Sequence, residues 1–488
     1  MTSNKLNLLS FSGNIRILHL TWFAFFISFM VWFAHAPLMV VIRDAMHLTD
    51  QQVKILLILN VALTIPARIV VGMLVDKYGP RQMFSSILIL GGLISIAFAF
   101  TQTYQQLAIV RFLSGFVGAG FVVGIRMISE WFPARQTGIA QGIYGGWGNF
   151  GSAGAAIILP SVALYFGAEN GWRYAVGSTG VIAIIYGFIY YFSVSNTPKG
   201  STYFKPKKMG AMEVTSIGDL FLYIVMNAPM YIALAVLAWK LSAKMHWFSE
   251  PLAYAIYATL VLLYVVQIWK IFQVNKMLFR TEVPEIQRYA FKQVAILNLA
   301  YLLTFGAELA VVSMLPLYYV DTFNVEPILA GILAGIYPVI NLFARPAGGW
   351  LSDKIGRKLT LGIVSAGAAV SFFILSNVTP EWTLWMVVPA TILAGIFSKA
   401  GSGAVYAMVP LIQRRMTGQF AGMVGAFGNV GGLAFLTVLS FVSSDIFFMT
   451  ISATGVFVFI CVVVFLDEPK GQMVEVLDDG TVELIDVK

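Results

Sequence analysis

The sequence predicts an all-α integral membrane protein of about fourteen transmembrane helices, arranged as two pseudo-symmetric six-helix halves with two extra helices between them. Three observations predict it. First, 59% of the 488 residues are hydrophobic, only 11% are charged, and the mean hydropathy is +0.82. Soluble domains carry about 25% charged residues, so this chain cannot cover a multidomain soluble surface. Second, the apolar residues fall in long runs, each near the roughly 20 residues that cross a bilayer. Third, the chain repeats itself at a near-constant offset.

Taken in order, the runs lie near 17–41, 53–76, 82–101, 104–128, 136–164 and 173–193, then 218–240 and 251–273, then 291–320, 327–352, 358–377, 382–410, 416–442 and 446–466. The first lacks a small-residue cleavage site and is too long for a signal-peptide core, so it reads as a retained helix. The organisation is then an N-terminal half, 1–193, and a segment 194–290 holding linkers and the extra pair. A C-terminal half, 291–466, and a tail, 467–488, complete it.

Basic residues set the orientation. Lys77, Arg81, Arg126, Arg135, Lys199, Lys205, Lys207, Lys208, Lys276, Arg280, Arg288, Lys292, Lys354, Arg357, Lys358, Arg414 and Arg415 fall in alternate loops on one side. The opposite loops carry fewer, chiefly Arg43, Lys54, Arg173, Lys240 and Lys244, among acids such as Asp44, Glu169, Asp321, Glu326 and Glu381. Both termini are therefore expected in the cytoplasm. The formal charge of +8 is a topological signal rather than a sign of nucleic-acid binding. The single cysteine, Cys461, excludes an internal disulfide and a multi-cysteine metal site. No nucleophile–base arrangement, metal-ligand cluster or nucleotide motif is present, so an enzyme is not expected.

The repeat is explicit. Residues 72–81, GMLVDKYGPR, are echoed by 349–358, GWLSDKIGRK, each with an arginine four residues upstream, Arg68 and Arg345. These arginines are 277 residues apart, Asn149 and Asn429 are 280 apart within matching glycine-rich runs, and Pro37 and Pro316 are 279 apart. Duplicated halves with a site at their interface mark secondary transporters. The pattern at Gly72, Leu74, Asp76, Gly79 and Arg81, with its second copy at Gly349, Leu351, Asp353, Gly356 and Lys358, resembles the loop signature of the major facilitator superfamily. Within it, GIYGGWGNFGSAGAAIILP (142–160), AGMVGAFGNVGG (421–432), TIPARIVVG (64–72), NLFARPAGG (341–349) and YLLTFGAEL (301–309) resemble the nitrate/nitrite porters of NrtP and NarK type and the plant high-affinity nitrate carriers. The likeness covers both halves and leaves out the central helix pair, since typical members have twelve helices.

The chemistry of a small planar oxyanion suits arginine, which is permanently charged and donates two parallel hydrogen bonds. Arg68 lies eight residues before Asp76, about 12 Å deeper along a helix, and Arg345 repeats the spacing to Asp353. Charge at that depth is costly and reads as functional. The alternative is a structural bond to backbone carbonyls or an acid, and the resemblance, in which these arginines bind the anion, weighs against it. Glu308, in mid-span, could carry a transported proton or neutralise Arg68 or Arg345. The resemblance places Phe121, Tyr301 and Phe305 around the anion. Asn149 and Asn429 could donate to the anion or bond between helices. The glycine runs, with Gly72 and Gly349, read as close helix packing, static or sliding. Arg111 resembles a fourth-helix motif arginine and serves coupling or a structural bond. Lys399, where the family more often has a neutral residue, could attract anions or pair with an acid. His19 and His35 read as packing or interfacial residues.

The expectation is a monomeric, multi-pass carrier in the plasma (inner) membrane that takes up nitrate and nitrite by alternating access, coupled to protons, with no cofactor and no metal. Its partners are nitrate, nitrite, protons and membrane lipid, with no nucleic acid. Asp76 and Asp353 would latch the cytoplasmic side. The alternatives are nitrate/nitrite exchange, a carrier of another small anion, or a nitrate-binding receptor without transport.

Overall fold

The computed structural model describes residues 7–132, 134–167, 169–201, 203, 211–244, 248–280, 288–413, 416–469, 471–476 and 482–487. The cations Lys205, Lys207, Lys208, Arg414 and Arg415 used for orientation lie outside the described residues. Among the described residues, fourteen helices are long and apolar enough to cross a membrane. They are α1 (Gly13–Phe33), α2 (Asp50–Tyr78), α3 (Pro80–Ala99), α4 (Tyr104–Trp131), α5 (Ile139–Tyr165), α6 (Gly171–Ser193), α7 (Ile217–Lys244) and α8 (Glu250–Val274). After them come α9 (Phe291–Phe323), α10 (Pro327–Ile355), α11 (Arg357–Ser376), α12 (Leu384–Ile412), α13 (Gly418–Leu439) and α14 (Ser444–Phe465).

Most ends lie within four residues of the expected ones; the first run is the exception. It was expected to continue to residue 41, yet α1 stops at Phe33 and a short helix, Met39–Ala45, follows. Pro37 explains the break, because its ring clashes with the carbonyl four residues back, that of Phe33. Its repeat partner Pro316 instead sits inside the long helix α9. In the tail, Gly471–Val476 (β1) and Val482–Val487 (β2) pair antiparallel, an element that the apolar runs did not announce.

Packing follows the repeat. Within the halves α3 lies on α6 as α11 lies on α14, and between them α2 packs on α13 as α10 packs on α5. These two cross-half seams enclose the centre. The repeated loop motif serves the turn from α2 to α3 and from α10 to α11. Gly79 and Gly356 adopt φ of 88° and 104°, a region that favours glycine. Each turn leaves free amides at the start of the next helix, and each is capped by a polar residue just beyond the last helix of its own half. Arg81 N donates to Asn196 Oδ1 at 2.9 Å. Arg357 N and Lys358 N donate to the two Glu468 oxygens, both at 2.7 Å.

The extra pair is peripheral. α7 leans on α9 and α13, while α8 packs chiefly on α7 and exposes Val261, Leu262, Leu263 and Val265, as a helix facing hydrocarbon should. Polar contacts pin its ends: Asn275 Oδ1 accepts from Val214 N at 2.8 Å, and Asp219 Oδ1 from Phe291 N at 3.0 Å.

Candidate functional site

Arg68 and Arg345 are both fully buried, one in each half. Arg68 Nε donates to the Gly118 carbonyl of α4 at 3.1 Å, and its Nη1 donates across the seam to the Gly425 carbonyl of α13 at 2.8 Å. Arg345 Nη2 donates to Tyr301 Oη at 3.0 Å. One nitrogen of each guanidinium, Nη2 of Arg68 and Nη1 of Arg345, is buried with no hydrogen-bond partner.

Both guanidiniums face the same two rings. The Arg68 carbon lies 5.2 Å from the Phe121 centroid and 4.9 Å from that of Phe305. The Arg345 carbon lies 5.2 and 5.8 Å from them. Phe121 and Phe305 are nearly parallel, 19° apart with centroids separated by 6.4 Å. Tyr301 stacks on Phe305 at 4.8 Å. Each ring therefore presents its negative face to a buried cation, the favourable cation–π arrangement. Five of the expected site residues, Arg68, Arg345, Phe121, Tyr301 and Phe305, thus form one cluster. Tyr144, stacked on Phe121, and Tyr406, edge-on to Phe121 and Tyr301 at 4.9 Å each, complete its aromatic wall. Neither was singled out in the sequence, where an isolated tyrosine in a small-residue run resembles packing.

Glu308 lies one turn along α9 from Phe305, on the side away from the Asp76 and Asp353 loops. Its Oε1 accepts from Asn341 Nδ2 at 2.6 Å and from Asn149 Nδ2 of the opposite half at 3.3 Å. Asn149 is therefore engaged by Glu308. Asn341, missed in the sequence, was findable: it precedes Arg345 by four residues and shares its helix face. Asn429 spends its amide donor on Gly425 O of its own helix, at 3.0 Å.

The remaining residues spread outward. Asp76 meets Arg126 of its own half at 3.4 Å, and its carboxylate faces Gly418 of α13 across the seam. Tyr203, beside Arg126, donates to Val75 O at 2.7 Å. Burial pushes its phenol up to about 12 against the pull of Arg126, so it remains a donor at neutral pH. Asp353 pairs with Arg357 at 3.0 Å. Gly72 packs against Val122 and faces Gly418 and Gly422, and Gly349 lies against Gly403 of α12. Arg111 meets His35 at 3.0 Å, a buried bond within the N-terminal half. His19 lies among Phe11, Trp22 and Trp147. A crevice between α2, α7 and α13, lined by Met73, Asp76, Met212, Asn227, Tyr231 and Gln419, lies off the central cluster. No group of three or more His, Cys, Asp or Glu placed to hold a metal occurs among the described residues.

The profile of the Major Facilitator Superfamily matches residues 21–277 and 297–481. Over 472 residues the chain is 44% identical to the nitrate/nitrite transporter NrtP of Nostoc punctiforme, covering 95% of this chain and 94% of that one. It is 43% identical to NrtP of a Picosynechococcus species, with 97% of each covered. A probable nitrate/nitrite antiporter, NarK1 of Thermus thermophilus, is 26% identical over 86% of this chain and 83% of its own. Among solved structures, the partially occluded inward-open xylose transporter XylE of E. coli superposes with a TM-score of 0.63 at 15% identity, over 94% of this chain and 99% of that one.

Proposed function

Because this chain belongs to the Major Facilitator Superfamily, within its nitrate/nitrite transporters, we propose that it carries nitrate and nitrite across the plasma membrane by alternating access, taking the anion up with protons. The observation that carries the reading is the clamp. Two buried arginines from opposite halves flank one pair of near-parallel rings, and each keeps an unpartnered N–H. A flat anion between Phe121 and Phe305 would accept from both guanidiniums at once and replace its lost hydration with charge-assisted bonds. Tyr301 orients Arg345, and Asn149 and Asn429 shape the ends of the slot.

Alternation follows from the seams. Arg68 already reaches Gly425 of the other half, so a bound anion adds a bridge where the halves meet and favours their closure around it. Asp76, pressed against Gly418, and Asp353 then act as latches on the side of the basic loops, which we take as cytoplasmic together with both termini. Arg111 with His35 stiffens the N-terminal half. Glu308, one turn outside the clamp, is the proton carrier. The protein acts as a monomer and needs no cofactor, and its action is transport rather than enzymic conversion.

The test is uptake of labelled nitrate by the purified protein in liposomes. Uptake that follows an imposed inward proton gradient is expected. Flux that ignores the gradient but rises with nitrite inside the vesicles would replace symport by exchange, and nitrate binding without flux would make the protein a receptor.

A further inference from the structure

Lys399 is a charged side chain at the centre that the clamp does not use. It is fully buried in α12, its Nζ stands 3.3 Å from the centroid of the Tyr337 ring, and it has no hydrogen-bond partner. Glu308 lies within its electrostatic reach. The Glu308 Oε1 is held by two amides, whereas Oε2 is buried without a partner. At the repeat offset of 277 to 280, the matching positions of the N-terminal half are 28–31 and 119–122, which hold no charge. The couple is thus an addition to one half rather than part of the duplicated frame.

Its geometry suits two positions. One of the amides holding Glu308 belongs to Asn149, across the α5–α10 seam. Any movement that parts this seam on the side away from the Asp76 loop withdraws that donor. A carboxylate left unpaired inside the protein is strongly destabilising, and Lys399 is a cation that travels with Glu308 in the same half. We propose that Lys399 and Glu308 form a two-position charge switch: carboxyl on the amides and ammonium on the Tyr337 ring when the outer side is sealed, and a direct ion pair when it is open. This deepens the transport reading and rests on it. A proton from the outer solution that joins a Glu308 oxygen cancels the attraction to Lys399 and frees the carboxyl to return to Asn149 and Asn341, so protonation and sealing go together. The same proton leaves Glu308 to the inner solution, and no other bond changes. The titratable and charged groups within electrostatic reach of the couple are Tyr301 of α9 and Tyr337 and Arg345 of α10, with Arg68 of α2, Tyr144 of α5 and Tyr406 of α12 next beyond them around Arg345. None of these side-chain types titrates between pH 5 and 8 when unperturbed.

The test compares variants of the full chain in liposomes, by labelled-nitrate counterflow and by uptake under a pH gradient, with nitrate-dependent thermal stabilisation as the control for folding and binding. Lys399→Met is expected to lower both fluxes by about tenfold or more, because it strands the carboxylate in the open state, while Lys399→Arg stays within about threefold of wild type by retaining the charge. Glu308→Gln loses the response to the gradient, and its counterflow is the reference for a carrier without the carboxylate. The double variant Lys399→Met/Glu308→Gln regains counterflow to the Glu308→Gln level, still without a gradient response, and regains thermal stability wherever Lys399→Met has lost it. A double variant no faster and no more stable than Lys399→Met overturns the switch, as does Lys399→Met with wild-type flux and pH response. Wild-type protein without nitrate flux overturns the transport reading itself, which is a separate result.

Discussion

At the residue scale the proposed clamp would depend on guanidinium shape as well as charge. Arg345 uses one nitrogen on Tyr301 and keeps another free, and Arg68 does the same with two carbonyls. A lysine at either position offers a point charge that cannot serve both a protein partner and the anion in fixed geometry. A hydrogen bond to a charged group contributes about 1.5–3 kcal/mol, so Arg68→Lys and Arg345→Lys should each weaken nitrate transport by about tenfold or more. Wild-type KM and rate for both variants in liposome uptake would remove the clamp. Tyr301→Phe should act more mildly, raising KM while leaving the maximal rate near wild type, because it loosens Arg345 without removing it. The arginines were legible in the sequence because charge inside an apolar run has few benign explanations and because both copies of the repeat carry one. Tyr144 and Tyr406 were not, since aromatic residues that pack and those that line a site look alike until their neighbours are known. Asn149 was legible as a polar residue in a glycine run, but that its partner would be Glu308 depends on how the halves meet.

At the scale of the element, glycine placement decides which helices can touch. A side chain at Gly431 would collide with the Leu302 carbonyl of α9, whereas one at Gly422 meets only the Arg68 carbonyl at 3.7 Å, ordinary contact. Gly431→Val should therefore lower thermal stability sharply, and Gly422→Ala should leave it close to wild type; equal melting temperatures for the two would contradict this packing. The helix caps make a second contrast. Removing a carboxylate that accepts two backbone bonds costs about 0.5–2 kcal/mol per cap, so Glu468→Ala should destabilise the turn at Gly356 more than Asp467→Ala, whose carboxylate sits half-exposed beside Lys292. Spans were legible because hydrocarbon demands long apolar runs. The end of α1 was misplaced because apolarity continues through Pro37, whose backbone geometry breaks the helix without changing its hydropathy. The caps from Asn196 and Glu468 were hidden for a different reason: each lies more than a hundred residues from the turn it satisfies.

At the scale of the whole molecule, alternating access requires the α2–α13 seam to open on the side of the basic loops. Gly72 of α2 lies directly against Gly418 and Gly422 of α13, and a Cβ at position 72 would stand 4.0 Å from the Gly422 Cα. Because a Cβ lies one bond from its own Cα, the two Cα atoms fall inside the spacing of up to about 6.8 Å that a disulfide bridges. The chain contains one cysteine, Cys461, buried in α14, so a Cys461→Ser background reports only introduced pairs. In that background Gly72→Cys/Gly422→Cys should cross-link under oxidation and hold the seam shut near Asp76, while either cysteine alone should not. If the halves rock about the clamp, the cross-linked protein stops carrying nitrate and a reductant restores flux, yet nitrate still reaches the clamp from the other side and still stabilises the fold. Full cross-linking with undiminished flux would mean that the anion leaves without this seam parting, and the exit would then have to lie elsewhere, with the crevice beside α7 the first place to probe.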